Sequence, residues 1–151
     1  MALIQSPWAL GNSPVARPQT AHATHSQLFI VDVPAAGFQV GDILEIAALP
    51  PYANIVDATI VPIGSLGVAT VDIGLMSGEW GELTNTDGSA RTCGNELFAA
   101  STITGLTRLT KTDMLILAKT EKPRSIGVKF AVAAVTAGAG KRFGLLLHFV
   151  Q

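Results

Sequence analysis

The stretch Val68-Ala69-Thr70-Val71-Asp72-Ile73-Gly74-Leu75-Met76 repeats with a period of two: Ala69, Val71, Ile73 and Leu75 fall on one side, Val68, Thr70, Asp72 and Gly74 on the other. A strand points successive side chains to opposite faces of its sheet. The pattern therefore describes a β-strand with one face on a core.

The same pattern extends in both directions. Upstream, residues 28–33 place Phe29, Val31 and Val33 on one face, residues 43–47 place Leu44 and Ile46, and residues 56–61 place Val56, Ala58 and Ile60. Downstream, residues 103–109, 114–119, 126–135 and 143–150 read as strands, with turn signals at Asp113, Pro123, Gly138 and Gly140. Ile126, Val128, Phe130 and Val132 share a face, as do Phe143, Leu145, Leu147 and Phe149, and these two segments are expected to form a hairpin. Residues 77–92, with Gly78, Gly81 and the Asp87-Gly88 pair, suit a long exposed loop containing a tight turn. Asn95 is expected to cap a brief helical turn through Glu96, Leu97, Phe98, Ala99 and Ala100. About eight short strands without strand-helix alternation predict an all-β chain, a jelly-roll-like antiparallel β-sandwich with at most one short helix.

Residues 1–26 differ in character: Pro7, Pro14 and Pro18 interrupt a segment of Gly, Asn, Ser and Thr with few charges. This predicts an extended N-terminal arm over 1–26, followed by a sandwich domain over 27–151. The arm is either a frayed tail or a strap for a partner. Ile4, Trp8, Leu10 and Val15 motivate the strap, because a solvated tail usually lacks such side chains. Trp80, between Gly78 and Gly81 in the long loop, is the remaining candidate contact, either a plug of the sandwich or an interface anchor. Tyr52 follows Pro50-Pro51 and reads as a turn residue packed on a sheet end.

Composition narrows the function. At 151 residues the chain has the length of one domain, and only 14% of it is charged against 48% hydrophobic. A surface so poor in charge calls for a partner. No apolar run approaches the roughly 18 residues that a spanning helix needs, and no basic region with an apolar core opens the chain, so neither membrane insertion nor secretion is expected and synthesis in the cytoplasm is. Residues 1–90 hold eight acids and a single base, Arg17, whereas residues 91–151 hold nine bases and three acids. Such a split either cancels across neighbouring strands or polarises the surface for contacts. The cations are scattered, with Lys141-Arg142 the one adjacent pair, so no nucleic-acid partner is expected. Cys93 stands alone, which rules out an intrachain disulfide.

Catalytic patterns fail on inspection. Ala137-Gly138-Ala139-Gly140-Lys141 lacks the first Gly and the Ser or Thr of a phosphate-binding loop, since Val135 and Arg142 stand there. Gly74-Leu75-Met76-Ser77-Gly78 only superficially resembles a nucleophile elbow. His22, His25, His148 and Cys93 have no metal-ligand spacing. No catalytic residue, metal site or cofactor is expected, and the chain is read as a non-enzyme.

Val71-Asp72-Ile73-Gly74-Leu75-Met76-Ser77-Gly78, followed by Gly94-Asn95-Glu96-Leu97-Phe98-Ala99-Ala100-Ser101, resembles small proteins that decorate the capsids of tailed bacteriophages. Gly41-Asp42-Ile43-Leu44 and Ile55-Val56-Asp57-Ala58 are similar in style, and the likeness runs from Phe38 to the C-terminus without reaching the arm. The resemblance implies a capsid decoration, or cement, protein of jelly-roll type on the capsid exterior of the virion. Its implied partners are the major capsid protein and further copies of itself, as dimer or trimer. The competing expectation is a glycan- or receptor-binding virion module, such as a fibre tip or head fibre, with loop aromatics as stacking platforms.

Overall fold

A computed structural model describes residues 1–15 and 23–151; Arg17, Pro18 and His22 lie outside the described residues. Nine strands form in chain order: β1 (Leu3–Gln5), β2 (His25–Asp32), β3 (Ile43–Leu49), β4 (Asn54–Ile63), β5 (Thr70–Leu75), β6 (Phe98–Thr102), β7 (Thr107–Arg108), β8 (Arg124–Ala131) and β9 (Arg142–Val150). They make one sheet in the order β1-β3-β8-β5-β6 and a second in the order β2-β9-β4-β7. From β2 to β5 the chain changes sheet at every step, stays in one sheet from β5 to β6, and then alternates again to β9. The two sheets pack face to face as a β-sandwich. All neighbours pair antiparallel except β1, which runs parallel to β3 with Leu3 opposite Ile43.

The core lies between the sheets and contains all six phenylalanines of the chain, Phe29, Phe38, Phe98, Phe130, Phe143 and Phe149, each buried. Phe130 links the layers: its ring stacks on Phe38 at 4.3 Å and meets Phe143 edge-on at 5.8 Å. Such pairs add about 1 kcal/mol to the area they bury. In β9, Phe143, Leu145, Leu147 and Phe149 all point inward, as the alternation requires.

Several sequence expectations are corrected. The segments 126–135 and 143–150 do not form a hairpin, because β8 and β9 are the central strands of opposite sheets. Val132 does not join the inward face of β8 and is 74% exposed. Residues 95–100 form no helical turn; Phe98–Thr102 is a strand paired with β5, so sheet pairing overrides local helix propensity. Residues 114–119 are not a strand: Met114, Leu115 and Ile116 lie in a 3-10 turn over Asp113–Ile116, of which Met114 alone is buried. In β4 a bulge between Ile55 and Asp57 shifts the alternation by one, so Ile55 is buried and Val56 is 42% exposed. Within the N-terminal segment, Leu3–Gln5 is a sheet strand, since Leu3 and Ile4 can lie against the apolar edge that β3 offers.

The separation of charge along the chain is largely cancelled by the winding. Of five ion pairs among the described residues, four join an acid before residue 90 to a base after it: Glu45–Arg91, Asp57–Arg108, Glu79–Lys122 and Asp32–Arg142.

Candidate functional site

Strand β3 is buried along its whole length, including Glu45. A carboxylate inside a sandwich must be paired and hydrogen-bonded. Arg91, from the long loop after β5, supplies the charge: its Nη1 lies 2.9 Å from Glu45 Oε1, and neither side chain reaches solvent. Ser125 Oγ and Gly81 N donate to the same carboxylate oxygen, and Gln5 Nε2 donates to Oε2 at 2.9 Å. The guanidinium also donates from Nη2 to Ser125 Oγ at 2.8 Å, and it binds the loop itself, with Nε donating to Ser77 O at 2.7 Å and Nη1 to Glu82 O at 2.7 Å. One buried ion pair therefore ties β1, β3, β8 and the loop over residues 77–92 into one unit. The outer face of this sheet is also shaped to receive the loop. Gly74 and Gly127 face each other on β5 and β8, and a Cβ on either would strike loop side chains, Glu96 at Gly74 and Met76 and Cys93 at Gly127.

The pinned loop presents Trp80. Its indole stands between two open clefts at this end of the sandwich, one of about 620 Å³ walled by Glu79, Thr120, Lys122, Pro123 and Arg124, the other of about 340 Å³ walled by Pro14, Val15, Ala48, Pro50, Pro51 and Pro123. Across the mouth of the larger cleft Lys122 Nζ meets Glu79 Oε1 at 2.6 Å, and this bond holds the Glu79 carboxyl below its usual range. Arg124 makes no ion pair among the described residues. Its Nη1 and Nη2 donate to Ala118 O and Ala53 O, each at 3.2 Å, and partial burial lowers its pKa. Indole Nε1 of Trp80 is buried without a hydrogen-bond partner.

The sequence candidates separate in space. Val15 and Trp80 line the same cleft, with Leu10 close in sequence to Gly11 on its wall and 56% exposed. Trp8 turns inward, its ring edge-on to Phe29 at 5.0 Å. Ile4, Trp8 and Val15 all pack against the core, and Ile4, on β1 beside Leu44, lies away from the Trp80 clefts. Tyr52 is 47% exposed in a turn with φ 59°, at the same end as Trp80. Sequence reasoning missed Glu45, Arg91, Ser125 and Gln5. The available signal was Glu45 as the sole acid in the apolar run Ile43–Leu49, and Arg91 as the sole base between Arg17 and Arg108.

The reactive groups are engaged in structural contacts. Ser77 Oγ accepts from Thr92 N at 2.8 Å and braces the loop. Lys141 Nζ folds onto Thr136 O and Oγ1 at 3.1 Å each. Burial pushes the Cys93 thiol up to about 12, which suppresses the nucleophilic thiolate. His148 Nδ1 and Ser26 Oγ share a hydrogen bond of 2.6 Å across β9 and β2. Among the described residues no three His, Cys, Asp or Glu side chains converge to hold a metal ion. What this end of the molecule offers is shape, with an aromatic wedge, proline walls and one partly buried cation.

The chain is similar to a chain of the capsid of Ralstonia phage GP4, with 38% sequence identity over 99% of this chain and 98% of that one and a TM-score of 0.86. A looser likeness, with 12% identity over 87% of this chain and 90% of the other and a TM-score of 0.49, is to the acidic stable capsid structure of Helicobacter pylori bacteriophage KHP30. At that level the second protein carries no inference. No family model matches the chain, and no curated protein matches it.

Proposed function

The chain belongs to the same family of phage capsid proteins as the chain from the Ralstonia phage GP4 capsid, and from that premise we propose that it is a decoration protein. In this role it binds the outer surface of the assembled head and bridges major capsid protein subunits. The match over nearly the full length of both chains supports a place in a capsid, and the observation that carries the decoration reading is the self-contained sandwich. The sandwich adds a physical argument. The core is filled from within the chain, and the described part of the N-terminal segment folds back onto it through β1 and Trp8. A body complete in itself suits a module seated on a lattice better than one that must exchange segments to tile it.

The mechanism is linkage. A protein that binds the assembled lattice and not free subunits stabilises the lattice by mass action. Several modest contacts on one assembly add through effective concentration. Leu10, Trp80 and Arg124, at the same end of the sandwich, are assigned to the shell contact, with the aromatic as the central anchor.

The test uses heads assembled without this protein. Purified chain added to them is expected to co-sediment at a fixed ratio and to raise the temperature at which the heads release their contents, while leaving unassembled major capsid protein unbound. Heads that neither bind the chain nor gain thermal resistance would remove the decoration role.

A further inference from the structure

Among the described residues two acidic side chains are buried, Asp42 at 6% exposure and Glu45 at 0%. Glu45 has the Arg91 guanidinium. Asp42 makes no ion pair among the described residues, although a buried carboxylate is ordinarily matched by a cation. The backbone fixes its place. Gln39-Val40-Gly41-Asp42 is a tight turn, closed by Asp42 N donating to Gln39 O at 3.1 Å, and its third residue, Gly41, has the φ of 91° that favours glycine there. Phe130 N, on β8, donates to Asp42 O at 3.0 Å, and Gln39 N donates to Asp42 Oδ2 at 2.8 Å.

The other carboxylate oxygen, Oδ1, accepts from Ala2 N at 2.9 Å. Ala2 is held on its far side as well, because its carbonyl accepts from Ile43 N at 2.9 Å where the pairing of β1 with β3 begins. The nitrogen that faces the buried carboxylate is therefore the one that joins Ala2 to Met1, a residue 75% exposed. As an amide, this nitrogen brings one N–H and no charge. As an α-amino group, ordinarily protonated below about pH 8, it brings the missing cation. Ala2 is itself exposed, so the further N–H bonds of an ammonium reach water.

We infer that Met1 is removed and that the α-ammonium of Ala2 is seated on Asp42. The step is hydrolysis of the Met1–Ala2 amide by an aminopeptidase of the class that takes methionine from in front of a small residue. One water is consumed. Its oxygen joins the Met1 carbonyl carbon, which departs as the carboxylate of free methionine, and its two protons go to the Ala2 nitrogen, which becomes a primary ammonium. The product exchanges a neutral donor for a charged one, and a hydrogen bond between ionised partners is about twice as strong as a neutral one. Little packing is lost, since most of Met1 already lies in solvent. The gain falls on β1, an edge strand of three residues that is otherwise tied down at its far end by Ser6 N donating to Glu45 O at 2.9 Å. This inference stands apart from the decoration reading.

The experiment has two arms. The untagged chain, expressed in bacteria, is expected to weigh less than its full sequence by one methionine residue and to release alanine first in end-group sequencing. Any other first residue overturns the inference. In the second arm the chain is freed from a tag by a site-specific protease, cutting either ahead of Met1 or ahead of Ala2, and the two products are compared by denaturant titration. The product that opens on Ala2 is expected to show a folded-to-unfolded ratio at least about fivefold larger at matched denaturant. That gain is expected to vanish in Asp42→Asn, and also on enzymatic acetylation of the Ala2 amine, which keeps the N–H and removes the charge. Equal stability of the two products overturns the inference, as does a gain that survives acetylation. The acetylated chain keeps the second arm decisive should Asp42→Asn fail to fold.

Discussion

Arg91 Nη1 and Glu45 Oε1 lie 2.9 Å apart, with both side chains fully out of solvent, and the bond joins residues 46 positions apart in sequence. The pair explains how a long and mostly exposed loop holds Trp80 at a fixed place, since Gly81 N donates to the same carboxylate.

Arg91→Met leaves Glu45 buried without a counter-charge. It is expected to lower unfolding stability by about 3–5 kcal/mol, measured by denaturant titration. The double variant Arg91→Met/Glu45→Met removes both charges and is expected to recover a large part of that loss. A double variant as unstable as the sum of the singles would show that the two side chains do not act as a pair.

The N-terminal segment holds structural and contact residues side by side, so deleting it whole confounds the two. Trp8→Ala removes the edge-on contact with Phe29 and is expected to cost about 2–3 kcal/mol, a reduced core-truncation value because Trp8 is only half-buried. Leu10→Asp, at a side chain 56% exposed, is expected to leave the unfolding midpoint in place and to reduce loading onto heads. Equal loading by Leu10→Asp and wild type would take Leu10 out of the shell contact.

The legible part of the fold was the part with a clean period of two. Phe143, Leu145, Leu147 and Phe149 were readable as a buried face because β9 has no bulge against β2 and sits at the centre of its sheet. Val56 was misplaced because a bulge is a one-residue insertion that the alternation does not announce. The expected hairpin failed for another reason: periodicity says that a segment is a strand with an inner face, and both sheets of a sandwich offer one. Residues 114–119 have strand composition but no neighbour to pair with, and there the tertiary setting decided. The Trp80 region was half visible, as an aromatic in a long loop. Its anchoring through Arg91 and Glu45 was not, since no local pattern links the two positions.

Cys93 gives a pH signature with a definite sign. Burial raises its thiol from 9.0 to about 12, so between those values the unfolded chain loses a proton that the folded chain keeps. The contribution is present in full below about pH 9 and is lost as pH rises toward 12. Stability is therefore expected to fall more steeply above pH 9 in the wild type than in Cys93→Ser, whose hydroxyl can still donate to Gly94 O, where the thiol now sits at 3.3 Å. Native Cys93 is also expected to resist a thiol reagent at pH 8 and to react on unfolding. Fast native labelling would show that the thiol is open to water.

Val132 allows backbone strain to be measured apart from packing, because its side chain is 74% exposed and buries little. Val132→Gly removes the side chain that disfavours φ 68° and is expected to raise stability by about 1 kcal/mol, after the greater unfolded-state freedom of glycine is deducted. Val132→Ala retains a Cβ at a positive φ and should recover less.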